Sequence, residues 1–289
     1  MSEELRIRPL IEEHQTEHPL QHKHLPDPAK KFRALIVGAS HSGKSLMVLN
    51  MLQREDFGYR DWFQDEIFIV SPTIGLDSTW NQIDLPKYHK MDSWKDSTMN
   101  QLLKYSVKQP RGILLVLDDL AASDCTNAHK DQMLSKIMMT GRHYGVSLFL
   151  MTQKYNSVST RVRANASHVM TFALPTTSEM KLFLSDNSDV PNVERCYQTA
   201  TSVPYGFMYI DRSTGGRKKA YQCFERELVF DGADGGADGG AEHNYEDSRD
   251  DEAHGAASQT APTTDGDTKG GIPLTEGEAR EIALQEAIA

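Results

Sequence analysis

The eight residues Gly38-Ala39-Ser40-His41-Ser42-Gly43-Lys44-Ser45 constrain this chain more than any other stretch. They read G-x-x-x-x-G-K-S and follow directly on the apolar run 32–37. In that context the pattern describes a strand, a glycine-bearing loop and the first turn of a helix beginning near Lys44. Successive loop N–H groups point inward and, with the positive end of the helix dipole, form a cradle for phosphate oxygens. Lys44 is expected to reach the β- and γ-phosphates, and the Ser45 hydroxyl to take a place around Mg²⁺. Gly38 and Gly43 fall where the backbone must bend tightly or approach the phosphates closely. The competing reading is a plain glycine turn ahead of a helix, with Lys44 solvated. A nucleoside triphosphate is the expected ligand.

The rest of the composition narrows the setting. A chain of 289 residues suits one large domain, or one domain with appendages. No apolar run approaches the ~18–20 residues needed to span a bilayer, so no membrane partner is expected. The polar N-terminus, with Pro9, Pro19, Pro26 and Pro28, lacks the apolar core of a secretory signal. Cys125, Cys196 and Cys223 stand far apart in no metal or redox spacing, which suits free thiols in a reducing, intracellular setting. The net charge of −10 is unevenly spread. Residues 231–289 carry 15 acidic and 3 basic side chains, against 26 and 28 in residues 1–230. The acidity belongs to the tail, and bulk charge neither supports nor excludes a nucleic-acid partner.

Three regions follow. Residues 1–30 read as a flexible arm; His14, His18, His22 and His24 have no Cys or carboxylate at zinc-ligand spacing, so a solvated arm is preferred to a metal site. Residues 31–230 alternate between strands and helices. Apolar runs at 32–37, 66–70, 112–117, 146–151 and 169–173 read as strands. Helical spacing is expected over 44–54, 94–107, 129–142 and 178–184, and a hairpin pairs 205–210 with 220–224 across Ser213-Thr214-Gly215-Gly216. Solid rather than alternating apolar strands indicate a parallel sheet covered on both faces, hence a three-layer α/β core. Residues 231–289 begin with an acidic glycine-rich repeat that cannot offset the entropy of ordering, and are expected to be disordered. Within them Thr275 and Glu278 are spaced as a capping box, so 275–288 is either a short helix that docks on a partner or a frayed tail.

A phosphate cradle does not specify a reaction; an acidic residue closing a buried strand does more. Ile113-Leu114-Leu115-Val116-Leu117-Asp118-Asp119 fits, with Asp118 as the carboxylate on the Mg²⁺ side and Asp119 placed to orient or deprotonate the attacking water. The alternative is a pair of acids that simply start a loop. Leu148-Phe149-Leu150-Met151-Thr152-Gln153 ends another strand in a polar pair, with Gln153 placed to touch the γ-phosphate or the water, or merely to cap a loop. Arg142 closes the helix before that strand. As a cation at a helix C-terminus it is favourable by roughly 0.3–1 kcal/mol. As an arginine finger it would reach a neighbouring subunit's γ-phosphate. Arg161 and Arg163 compete for that role.

These segments together resemble one family. Gly141-Arg142-His143-Tyr144-Gly145 running through Thr152-Gln153, then Arg163-Ala164-Asn165-Ala166, is similar to the FtsK–HerA superfamily of DNA-pumping ATPases, most of all to the poxvirus-like genome-packaging ATPases of large DNA viruses. The resemblance covers roughly residues 31–187 and implies a P-loop NTPase core with sheet order 5-1-4-3-2, Gln153 lying between the P-loop and Asp118. It further implies ATP and Mg²⁺, double-stranded DNA, and a homo-oligomeric ring of about five or six subunits with nucleotide at each interface. A capsid portal or vertex protein and a viral assembly site or virion complete the expectation. Where many relatives carry glutamate after the first acid, this chain has Asp119. In the ring, Arg217, Lys218 and Lys219 are candidate contacts to the DNA backbone, or a solvated turn. The rivals are a helicase or plasmid-transfer motor of the same superfamily, a P-loop nucleotide kinase, and a capsid scaffold whose ATP site only stabilises assembly.

Overall fold

A computed structural model describes residues 24–76, 78–86, 89–120, 131–213 and 218–230. Within these, the apolar runs form the centre of a single nine-stranded sheet. Its strands are β1 (Arg33–Val37), β2 (Ile67–Val70), β3 (Lys90–Met91), β4 (Ile113–Asp118), β5 (Val146–Thr152), β6 (His168–Thr171), β7 (Met208–Asp211), β8 (Lys219–Gln222) and β9 (Arg226–Glu227). The sheet order is β3-β2-β4-β5-β1-β6-β7-β8-β9. The five strands read from the sequence therefore stand in the expected 5-1-4-3-2 order and run parallel. The structure adds parallel β3 beyond β2, and three antiparallel strands at the other edge. The expected C-terminal hairpin does not stand apart: β7 pairs with β6, which makes the hairpin a continuation of the core sheet.

Every residue of β2, β4, β5 and β6 is buried, the signature of strands covered on both faces. The helices are α1 (Lys44–Gln53), α2 (Tyr59–Phe63), α3 (Asp96–Ser106), α4 (Gln132–Thr140), α5 (Thr160–Asn165), α6 (Thr177–Asp186) and α7 (Val193–Thr201). On one face Ala34, Ile36, Ile69, Val116 and Phe149 share a core cluster with Val48, Leu49 and Leu52 of α1 and with Tyr59 and Phe63 of α2. On the other, the ring of Phe68 meets Tyr105 of α3 edge-on at 6.1 Å, and α7 lies against β7 and β8. That is the expected three-layer arrangement. Each such buried apolar side chain contributes about 1.5–3 kcal/mol.

Several boundaries move for local reasons. Residues 24–30, expected to belong to a free arm, pack on the body: Leu25 is buried, Tyr59 donates its hydroxyl hydrogen to Pro26 O at 2.7 Å, and His24 meets the Tyr221 ring. The helix expected over 129–142 ends at Thr140, and Gly141–Tyr144 tightens into a 3₁₀ turn before β5. Three short helices, α2, α5 and α7, escaped the sequence reading. α5 starts at Ser159, whose Oγ accepts from Val162 N–H at 3.4 Å, and α7 packs its buried Cys196, Tyr197 and Ala200 inward. The expected tail 231–289 with its helix at 275–288, and residues 1–23 of the arm, lie outside the described residues. Among the described residues no group of His, Cys, Asp and Glu could hold a metal by itself, and no helix is long and apolar enough to cross a membrane.

Candidate active site

The sheet order brings three loops together. β5 lies between β1 and β4, so its C-terminal carbonyls serve both neighbours. Met151 O accepts from Asp119 N–H at 3.2 Å, and Thr152 O accepts from Gly38 N–H at 3.3 Å. The glycine-rich loop, the acids of β4 and Gln153 thus leave the sheet side by side.

The loop conformation is dictated by its glycines. A Cβ on Gly38 would stand 2.6 Å from Phe172 Cβ, too close for any other residue. Gly43 sits at φ 99 as the N-cap of α1, a backbone that L side chains rarely adopt. Ser40 and His41 form the exposed tip, with His41 itself at φ 59, and Ala39 and Ser42 lie partly buried on either side. Ser42 Oγ is buried without a hydrogen-bond partner. Such an orphan hydroxyl inside a phosphate-sized loop fits an oxygen-rich ligand.

Lys44, only 7% exposed, donates to Gly38 O at 2.9 Å and Ala39 O at 2.8 Å. Its ammonium is thereby held at the centre of its own loop. Burial lowers its proton affinity from the ordinary lysine value, while the charges of Asp118 and Asp119 pull the other way. Next to it, Ser45 donates its hydroxyl hydrogen to Asp118 Oδ2 at 3.2 Å. Asp118, 4% exposed, also accepts the indole N–H of Trp80 at 2.7 Å. Burial pushes the Asp118 carboxyl above the ordinary aspartate value, and the bonds from Trp80 and Ser45 offset part of that rise. A hydroxyl and a hard carboxylate in contact beside the cradle are the donor set that Mg²⁺ takes, so these residues fit the ion that the motif implies.

Asp119 turns the other way. It sits at φ 49, a left-handed conformation that aspartate tolerates, and its carboxylate accepts from Gln153 Nε2–H. The pair forms a polar wall beside the loop, on the side away from β6. Trp80 is the member of the site that the sequence did not disclose. It lies in the long connection after β2 with no periodic pattern around it, and only the fold reveals the partner of its N–H.

The candidate arginines are spread out. Arg142 is exposed in the 3₁₀ turn before β5, at the opposite end of that strand from Gln153. There it shares a polar cleft of about 810 Å³ with Arg33, whose proton affinity is lowered by burial and by the Arg142 charge. Arg161 is exposed on α5. Arg163 is buried, and its donors go to Asp186 at 2.7 Å, to Val158 O and to Thr160 Oγ1, with its guanidinium 5.1 Å from the Tyr155 ring. Lys218 and Lys219 are engaged at the surface by Asp189 and Glu227, and Arg217 lies outside the described residues.

Comparison with known proteins identifies the family and the fold. A family model described as Poxvirus A32 protein matches residues 21–194, a span that contains the loop, the acids of β4, Gln153 and the candidate arginines Arg142, Arg161 and Arg163. The DNA-packaging ATPase B204 of Sulfolobus turreted icosahedral virus superimposes with a TM-score of 0.50 at 15% identity, over 66% of this chain and 97% of its own. The genome-packaging NTPase B204 of Sulfolobus turreted icosahedral virus 2, in complex with AMPPCP, gives 0.50 at 16% identity over 67% and 97%. At these identities the likeness is one of fold. Comparison with curated proteins gives no match.

Proposed function

The chain belongs to the Poxvirus A32 protein family and is an ATPase of the viral genome-packaging type, and from that premise we propose that it drives double-stranded DNA into a preformed capsid as a homo-oligomeric ring. One observation carries the reading: Ser45 bonds Asp118 and Gln153 bonds Asp119 where β4 and β5 end, beside the loop that Lys44 closes. The loop N–H groups and Lys44 hold the triphosphate, Lys44 exchanging the Gly38 and Ala39 carbonyls for phosphate oxygens. Ser45 and Asp118 are the residues that would hold Mg²⁺, which when bound neutralises charge on the β- and γ-phosphates. Asp119 accepts a proton from the attacking water or orients it, and Gln153, bonded to Asp119, fixes the direction of that carboxylate.

Arg142 completes the site of the next subunit. Cycles of hydrolysis move loops that line the ring's pore, and the DNA is gripped through its phosphates without base readout. Lys218, Lys219 and Arg217 are the contacts proposed for that grip. A capsid portal or vertex protein is the docking partner, and the infected cell's assembly site is where the motor works.

The test uses one purified sample of the full chain, measuring oligomeric mass and ATPase rate with and without duplex DNA. A closed ring with DNA-stimulated hydrolysis is expected. In Lys44→Ala the rate should fall on the order of 10²–10³-fold or more. Strand separation on a forked duplex would instead identify a helicase. A monomer passing phosphate to a small acceptor would identify a kinase, and Lys44→Ala hydrolysing at the wild-type rate would remove the site assignment.

A further inference from the structure

Tyr205 stands on the flank of the glycine-rich loop opposite to the acids. β1 is paired with β5 on one side and β6 on the other, so Asp118, Asp119 and Gln153 bound the loop on the β5 side. On the β6 side stand Phe172, which follows β6, and Tyr205, which ends the turn between α7 and β7. The Tyr205 ring reaches within 3.0 Å of the place a Cβ would take on Gly43, yet it is 70% exposed.

An exposed tyrosine is ordinarily free to lie anywhere on a surface. This one is aimed by its backbone. Its φ of 58 lies in the left-handed region, an outlier for a bulky side chain and a form of strain that persists where the surroundings impose it. The turn is closed directly behind it by Gly206 N–H donating to Val203 O at 2.9 Å. Val203 in the same turn and Leu46 in the first turn of α1 are exposed as well, leaving apolar surface beside the loop.

A nucleoside triphosphate is a linear ligand. Hydrolysis requires its γ-phosphate to face Asp118, Asp119 and Gln153, and with the phosphates in the cradle the nucleoside must leave on the other flank. We infer that the Tyr205 ring is the stacking platform for the nucleobase of the nucleotide held by Gly38–Ser45. The inference rests on the nucleotide-site reading and adds the base subsite to it. An aromatic face reads the base by area and not by its edge, so the site takes purine nucleoside triphosphates and discriminates weakly between adenine and guanine.

The test compares equilibrium binding of ATP, GTP and inorganic tripolyphosphate to the full chain, in wild type, Tyr205→Asn, Tyr205→Phe and Lys44→Ala. Asparagine tolerates the left-handed backbone, so the turn is retained while the ring is removed. Tyr205→Asn should weaken ATP and GTP alike, on the order of tenfold, raise KM with little change in kcat, and leave tripolyphosphate binding as in wild type. Tyr205→Phe should bind like wild type. ATP binding unchanged in Tyr205→Asn, with Lys44→Ala losing both ligands, overturns the platform and leaves the phosphate site standing. Equal loss of ATP and tripolyphosphate in Tyr205→Asn also overturns it, since the residue would then support the loop and not the base. A wild-type chain that binds neither ligand overturns the nucleotide site and the platform together.

Discussion

The proton affinity of Asp118 is set by burial and by residues that sequence reading treats unequally. Ser45 belongs to the motif; Trp80 does not, yet its indole N–H makes the shorter bond, 2.7 Å against 3.2 Å. Burial raises the proton affinity of Asp118, and both bonds lower it by favouring the carboxylate. Trp80→Phe keeps an aromatic ring in the same space and deletes one donor, so Asp118 should protonate at a higher pH than in wild type. The acid limb of the ATPase pH profile is expected to move to higher pH, and a limb that stays in place would show that Trp80 does not support this charge. Legibility at this scale follows how local the signal is. Gly38, Gly43, Lys44 and Ser45 act through contiguous backbone, and Asp118 through its place at the end of an unbroken apolar run, so all were visible. Trp80 acts across 38 residues of sequence, and nothing around it marks the connection.

At the scale of elements, the long apolar strands were legible because both faces are covered, whereas short elements held by single side chains were not. α5 is the clearest case: six residues begun by the Ser159 cap and anchored by Arg163. Arg163 donates to Asp186, which also accepts the Tyr155 hydroxyl at 3.0 Å, so one carboxylate ties α5 to α6 and to the turn after β5. In Arg163→Ala the carboxylate loses its charged partner, at a cost of about 1.5–3 kcal/mol. The denaturant midpoint should fall accordingly, while Arg142→Ala and Arg161→Ala leave it unchanged. An Arg163→Ala chain of wild-type stability but without activity would restore Arg163 as a finger. The β6–β7 seam carries a second dependence. His168 pairs across it with Asp211, with its Nε2 3.6 Å from Asp211 Oδ1 and its Nδ1 2.8 Å from Ser167 Oγ. Burial lowers its pKa from 6.5 to about 4, against Asp211 and Asp27, which raise it, and with Arg33, which lowers it further. A base depressed in the folded state takes up its proton more readily when unfolded. Its contribution is complete above pH ~6.5 and is lost as pH falls toward ~4. Stability measured by denaturant should therefore decline across that window, with a shallower decline in His168→Gln; equal slopes in the two chains would assign the loss elsewhere.

Across the whole molecule, the sheet itself decides how the parts of the site can meet. The order 5-1-4-3-2 came from the family resemblance, which rests on how the strands end: a glycine loop, an acid pair, a Thr-Gln pair. The antiparallel extension by β7, β8 and β9 was not legible, since a hairpin's sequence does not say which edge it joins. That same sheet separates Arg142 from Gln153 by the full length of β5, whose seven residues span about 20 Å or more. No arginine side chain crosses that distance, so Arg142 cannot serve the nucleotide of its own subunit. It opens instead into the polar cleft beside Arg33, on the end of the sheet away from the loop. In the head-to-tail ring proposed above, one such end would face the next subunit's loop, and each interface would join a cradle from one copy to an arginine from another. Mixing two inactive variants tests this arrangement. Lys44→Ala subunits keep Arg142 but have lost the cradle, and Arg142→Ala subunits keep the cradle but have lost the arginine. In rings assembled at random from equal amounts, roughly a quarter of interfaces pair an intact cradle with an intact arginine. ATPase activity should reappear on mixing to about that fraction of wild type and vanish when the ring is dissociated. Mixed rings as inactive as either parent would show that Arg142 does not act across the interface.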